Sequence, residues 1–143
     1  MRRATTLVLA LLLLAATACT EDPSRLVGPT WILDPSTVAR LGIQVPAGTR
    51  VDIRFDGGQA SGTTGCNTYT ARYVADGADL SFSEIVASTR ACDPALTALE
   101  VDYLERLAQT DSFQFAGTGA SLILSGSSKP LGYTAEGSSP DRD

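Results

Sequence analysis

Only one stretch of this 143-residue chain spaces its apolar side chains for a helix. Leu96, Leu99, Tyr103 and Leu107 recur at intervals of three and four, with Leu104 beside them, while Glu100, Asp102, Glu105 and Arg106 fall outside the stripe. Asp93 followed by Pro94 supplies a capping carboxylate and then a proline at the first helical position, so the helix is expected over Pro94 to Gln109. Everywhere else Gly, Pro and Asp interrupt the chain at short intervals, which is the punctuation of short strands. The clearest strand is RVDIRF, where Val51, Ile53 and Phe55 alternate with Arg50, Asp52 and Arg54, and Asp56-Gly57-Gly58 then turns it into a return strand over 59–63. Further strands are expected at 30–33, 70–74, 80–82, 85–89, 112–115, 121–124 and 131–134, with residues 34–48 read as a connection. Strands, one helix, then strands again, without a βαβ alternation, predict an α+β fold in which an antiparallel sheet curls around a single α-helix.

The N-terminus constrains where such a domain resides. Arg2 and Arg3 precede the apolar run LVLALLLLAA and the small residues Ala16-Thr17-Ala18, an arrangement expected of a secretory signal over residues 1–18. The run is about half of the roughly 20 residues that a membrane-crossing helix needs. A cysteine follows the expected cleavage point. That motif resembles a bacterial lipobox, with Ala16 where leucine is usual, which implies lipidation of Cys19; because Ala16-Thr17-Ala18 also suits ordinary signal cleavage, simple secretion is the alternative. Residues 19–27 are then expected to be a polar tether, residues 28–135 the domain and residues 136–143 a disordered tail. The expected location is outside the cell, lipid-anchored to the outer face of the cell membrane or to the outer membrane.

The signal holds two of the 11 basic residues, so 9 remain against all 16 acidic ones, a net charge of −7. Such a balance argues against nucleic acid as a partner, since no basic patch is available to neutralise phosphates. It argues equally against attachment to an anionic bilayer by charge alone, so membrane association is expected to come from the lipid.

Besides Cys19 the chain has two cysteines, Cys66 and Cys92. In an oxidising compartment an isolated pair is most simply a disulfide, and closing a loop of this length stabilises a fold by roughly 3–4 kcal/mol. Cys66 lies in SGTTGCNTY, whose glycines, hydroxyls and thiol admit a nucleophile loop, a phosphate cradle or a tight structural corner. The chain has no histidine, which removes histidine-based triads and imidazole metal sites, and its single lysine, Lys129, lies in an expected turn. No Gly-Lys-Ser/Thr opens a helix after the glycines, so the phosphate reading has no support either. Among the carboxylates, Glu84 and Asp93 lie nearest the cysteine pair, while most others fall in turns or on the outer face of the helix. Trp31, Tyr69, Tyr73, Tyr103 and Tyr133 favour the core, with the lining of a ligand pocket as the alternative. Arg90 would be drawn to the Cys66 corner by the disulfide, near Asn67, where it either satisfies loop carbonyls or presents a guanidinium to an anion or partner. No cofactor and no metal are expected.

The series GPTWIL (28–33), VPAGTRVDIRFDGGQASGTTGCNTYTARY (45–73), LSFSEIVASTRAC (80–92), LEVDYLERL (99–107) and SLILSGSSKPLGYT resembles the META domain, also called HslJ-like. Its most specific parts are GCN-x-Y at Gly65 to Tyr69 and T-R-x-C at Thr89 to Cys92. The resemblance implies a strongly curved antiparallel sheet forming a partial barrel around one helix, in a small bacterial envelope protein. It also implies links to stress tolerance in some members and no general catalytic activity. The expected function is therefore a non-enzymatic, monomeric binding module for an envelope protein or other envelope component. The alternative is a carrier of a small apolar or lipidic ligand within the half-barrel.

Overall fold

A computed structural model describes residues 20–137. Eight strands follow one another around a barrel: β1 (Thr30–Leu33), β2 (Asp52–Asp56), β3 (Gln59–Thr63), β4 (Thr68–Asp76), β5 (Asp79–Ala87), β6 (Thr110–Ala116), β7 (Ser121–Gly126) and β8 (Leu131–Ala135). All neighbouring pairs are antiparallel. Helix α1 (Pro35–Arg40) lies between β1 and β2, and α2 (Pro94–Ala108) between β5 and β6. Each strand turns alternate side chains inward, so Ile53 and Phe55 of β2, Leu122 and Leu124 of β7 and Leu131 and Tyr133 of β8 are all buried. From α2, Leu99, Tyr103 and Leu107 complete the core.

Four expectations are corrected. The sheet is a closed barrel rather than a partial one, because β1 pairs with β8 through Trp31↔Ala135, Ile32↔Thr134 and Leu33↔Tyr133. The weak part of the circuit is β5 against β6, where Asp79↔Ser112 is the one paired position and Phe113 N–H donates to the Ala78 carbonyl at 2.9 Å. There β6 runs past the β4–β5 turn, and the Phe115 N–H instead meets the Glu21 carboxylate at 3.4 Å.

The helix is not single. The segment read as a connection contains α1, whose Asp34 caps the Ser36 N–H at 2.9 Å and whose Val38 is fully buried. Asp34-Pro35 is the same start signal as Asp93-Pro94, but six residues are too few for an apolar period to show.

Segments 80–82 and 85–89 form no two strands but the single strand β5, joined by a bulge: Thr70 faces Val86 while Arg72 faces Ser83, leaving an extra residue on β5. Glu84 adopts a left-handed φ of 51° there.

The domain also begins earlier than residue 28. Asp22 caps a 3-10 turn over Pro23–Leu26, Leu26 is fully buried, and the Trp31 indole N–H donates to the Leu26 carbonyl at 3.0 Å. One apolar side chain in a polar stretch is enough to draw that stretch onto the barrel. At the other end Glu136 is tied to Arg50 at 2.9 Å and its N–H to the Thr30 carbonyl at 2.8 Å, while Cys19 and residues 138–143 lie outside the described residues.

Candidate functional site

The corner between β3 and β4 gathers the residues that the sequence singled out. The chain reverses over residues 64–67, with the Thr64 N–H donating to the Asn67 carbonyl at 2.8 Å. Gly65 has a left-handed φ of +91°, and a Cβ there would stand 2.4 Å from Thr49 Cγ2, so only glycine fits. Cys66 is joined to Cys92, in the loop between β5 and α2, with Cα atoms 6.0 Å apart. The disulfide thus fastens the β3–β4 turn to the segment that leads into α2.

Asn67 is only 5% exposed and uses both ends of its amide. Its Oδ1 accepts from the Arg90 N–H at 2.8 Å and the Ser88 hydroxyl at 3.0 Å. Its Nδ2 donates to the Arg90 carbonyl at 3.2 Å and to Glu100 Oε1 at 3.1 Å. Asn67 therefore reads the loop backbone much as a neighbouring strand would and ties it to α2. The second oxygen of Glu100 accepts from the Thr64 hydroxyl, which in turn accepts from the Asn67 N–H at 3.0 Å. The Arg90 guanidinium donates to the Cys66 carbonyl at 2.6 Å. Among the described residues no buried side-chain nitrogen or oxygen lacks a hydrogen-bond partner.

Cys66, Asn67, Arg90 and Cys92 thus lie together, with the Arg90 guanidinium on the Cys66 carbonyl. Glu84 and Asp93 do not join them as a reactive pair: Glu84 bonds Arg72 at 2.8 Å on the exposed bulge, and Asp93 caps the Leu96 N–H at 3.0 Å at the start of α2. Glu100, read as a solvated outer-face residue, is a half-buried member of the corner. Its position did carry a signal, since it stands four residues after Leu96 and three before Tyr103, on the same side of the helix. Arg106, also read as outside the stripe, is 8% exposed, bound twice to Asp102 at 2.9 and 3.0 Å and once to the Leu41 carbonyl at 3.2 Å.

The tyrosine of GCN-x-Y points into the barrel. Tyr69 O–H donates to the Asp52 carbonyl at 3.0 Å and accepts from Tyr103 O–H at 2.7 Å, and Tyr133 O–H donates to Tyr103 at 3.1 Å. This order leaves every phenol proton used and runs as one chain across the core, from β8 through α2 to β4. With Trp31 and Phe55, whose side chains are also fully buried, these rings fill the interior. Trp31, Tyr69, Tyr103 and Tyr133 are core residues, and Tyr73 packs part-buried against that core.

Burial holds all three phenols well above the ordinary tyrosine value, and their mutual proximity adds to the shift. A group whose pKa is raised on folding stabilises the fold fully below its unfolded pKa, near 10, and that contribution is lost as pH rises beyond it. Three such groups give a slope of up to about 4 kcal/mol per pH unit above pH 10. Denaturant unfolding between pH 9 and 11.5 is expected to show this loss, and a stability flat across that range would refute it.

Among the described residues no group of three or more His, Cys, Asp or Glu side chains is placed to hold a metal ion. The corner joins turn, loop and helix through one covalent bond and a set of matched polar groups.

No curated protein matches the chain. Solved structures do, at a level of identity that speaks to fold alone. The NMR structure of a protein from Burkholderia xenovorans is 17% identical with a TM-score of 0.64, the match covering 96% of this chain and 99% of that one. A second NMR structure is 20% identical with a TM-score of 0.61, over 80% of this chain and 94% of that one. The crystal structure of a duf4847 family protein from Bacteroides vulgatus ATCC 8482 is 13% identical with a TM-score of 0.57, over 76% and 93% of the two chains. The model of the META domain matches residues 25–137, which takes in the buried Leu26, the whole barrel and the Cys66–Asn67–Arg90–Cys92 corner, and the chain accordingly belongs to the META domain family.

Proposed function

We propose that this protein is an exported, lipid-anchored envelope domain that acts by binding a protein or another envelope component and not by catalysis. The observation that carries this reading is the commitment of the reactive-looking groups: Cys66 is in a disulfide, Asn67 and Glu100 are hydrogen-bonded within the corner, and the interior is packed with aromatic rings. The barrel interior is lined by buried apolar and aromatic side chains, which favours the outer surface as the seat of function. Cys19 would hold the domain to the membrane through its lipid, with the few residues before Asp22 as the tether. A role in stress tolerance, if exercised, would run through the same surface. Carriage of an apolar ligand is the weaker reading, because Tyr103 and Trp31 stand where the ligand would lie.

Crosslinking in intact cells, with the wild type compared with Cys19→Ala, tests the proposal. The wild type should yield a specific crosslinked partner and an acylated N-terminal peptide by mass spectrometry. Cys19→Ala should lose the acyl mass and most of the crosslink. Failure to recover a specific partner from the wild type would overturn the binding role, and an unmodified Cys19 would overturn the anchor.

A further inference from the structure

We infer that the outward face of α2 docks a basic amphipathic helix of a partner protein, an inference that rests on the binding role proposed above. Leu99, Tyr103 and Leu107 face the core, yet the opposite side of the same helix is also largely apolar. Pro94, Ala95, Ala98 and Val101 are exposed, Val101 to 61%. A lone exposed valine would need no explanation. Here several apolar residues share one side of α2, interleaved with Thr97, Asp102 and Glu105. Between α2 and residues 42–46 runs a cleft walled by Val45, Pro46, Ala95 and Leu99, and on the other side of α2 a second cleft is walled by Pro94, Thr97 and Val101. Ala98 and Asp102 lie in both, so the two clefts flank a ridge that carries a small side chain and, one turn on, a carboxylate.

That shape selects a helix as occupant. Ala98 on the ridge and Ala95 beside it allow another helix axis to approach to about 8–10 Å, and long side chains at i, i+3, i+4 and i+7 can enter the clefts on either side, a basic one among them reaching Asp102. The 15 residues of α2 span about 22 Å, enough for four turns of a partner.

Charge selects which helix. Asp93 opens the helix, Glu105 lines one cleft and Asp102, paired with Arg106 yet part-exposed, lines both, while the one basic residue of α2, Arg106, is buried. A second copy of this chain would set the same carboxylates against each other across a two-fold contact, which disfavours self-association. A helix with leucine-like side chains on one face and Lys or Arg at its borders meets both the apolar clefts and the acidic rim.

Two synthetic helices serve as probes for the full chain, one built of Leu and Lys and the other with Glu in place of each Lys. The Leu/Lys peptide should shift the amide resonances of α2 and of residues 42–46. Val101→Lys, an exposed change that leaves the melting temperature in place, should weaken its binding at least tenfold, and the Leu/Glu peptide should not bind. Equal binding by both peptides, shifts confined to other surfaces, or an unchanged affinity in Val101→Lys would overturn the inference. In cells, a photoreactive side chain at position 101 should crosslink to a segment rich in Lys or Arg, whereas one at the exposed position 74 of β4 should not. A wild-type partner that Val101→Lys captures equally well would sink this docking face while leaving the binding role standing. Absence of any partner for the wild type would remove the binding role itself.

Discussion

Replacement of Gly62 by alanine is expected to cost more than about 4 kcal/mol and to leave little folded protein at 37 °C. Gly62 lies in β3 opposite Tyr69, and a Cβ on it would stand 1.9 Å from the Asp52 carbonyl oxygen. That neighbour is backbone and has no rotamer to yield. The same carbonyl accepts the Tyr69 hydroxyl, and the Asp52 carboxylate accepts the Thr63 N–H at 3.1 Å, so pushing β2 from β3 would also break the end of the tyrosine chain. Conformation is not the cause, because Gly62 does not have a left-handed φ. Gly57 and Gly77 provide the control: both have φ of +55° with open space where a Cβ would go. Alanine at either should cost only on the order of 1–2 kcal/mol, the penalty of the left-handed backbone. Melting temperatures of the three variants decide the matter, and a Gly62→Ala protein melting within a few degrees of the wild type would refute the steric argument.

Joint replacement of Cys66 and Cys92 by alanine should lower stability by roughly 3–4 kcal/mol and the melting temperature by on the order of 10 °C. The bond closes a loop of 26 positions, and its removal restores the conformational freedom of that loop in the unfolded chain. In the folded state the hydrogen bonds of Asn67 to Arg90 and Glu100 persist, so the variant should still fold. Amide exchange in residues 88–93 should nonetheless accelerate more than in β7 or β8, since the loop then depends on polar contacts alone. A stability change below about 1 kcal/mol would show that the hydrogen-bonded corner, and not the disulfide, holds α2 to the barrel.

How far the sequence could be read varies with the range of the interaction. The alternation in RVDIRF, the Asp-Gly turns and the stripe ending at Leu107 are local patterns, and β2, its hairpin and α2 lie where those patterns place them. Helix α1 was equally local but too short for its period to be counted. Leu26 and Glu100 went unread for a different reason. Each is one residue whose environment depends on what the rest of the chain brings beside it: Trp31 and Phe55 around the segment ending in Leu26, and Asn67 and Thr64 around Glu100.

The chain by itself determined the α+β class, the strand and helix stripes and, through its two domain cysteines, the link between the SGTTGCNTY corner and the loop before α2. Each of these rests on side-chain chemistry or on periodicity within a few residues. Only the tertiary structure decided that the sheet closes, because the pairing of Trp31 with Ala135 joins residues at opposite ends of the domain, and strand patterning states which side faces inward but not which edges meet. It likewise decided that three phenols from β4, α2 and β8 form one hydrogen-bonded chain, since only the barrel brings them within about 3 Å of one another.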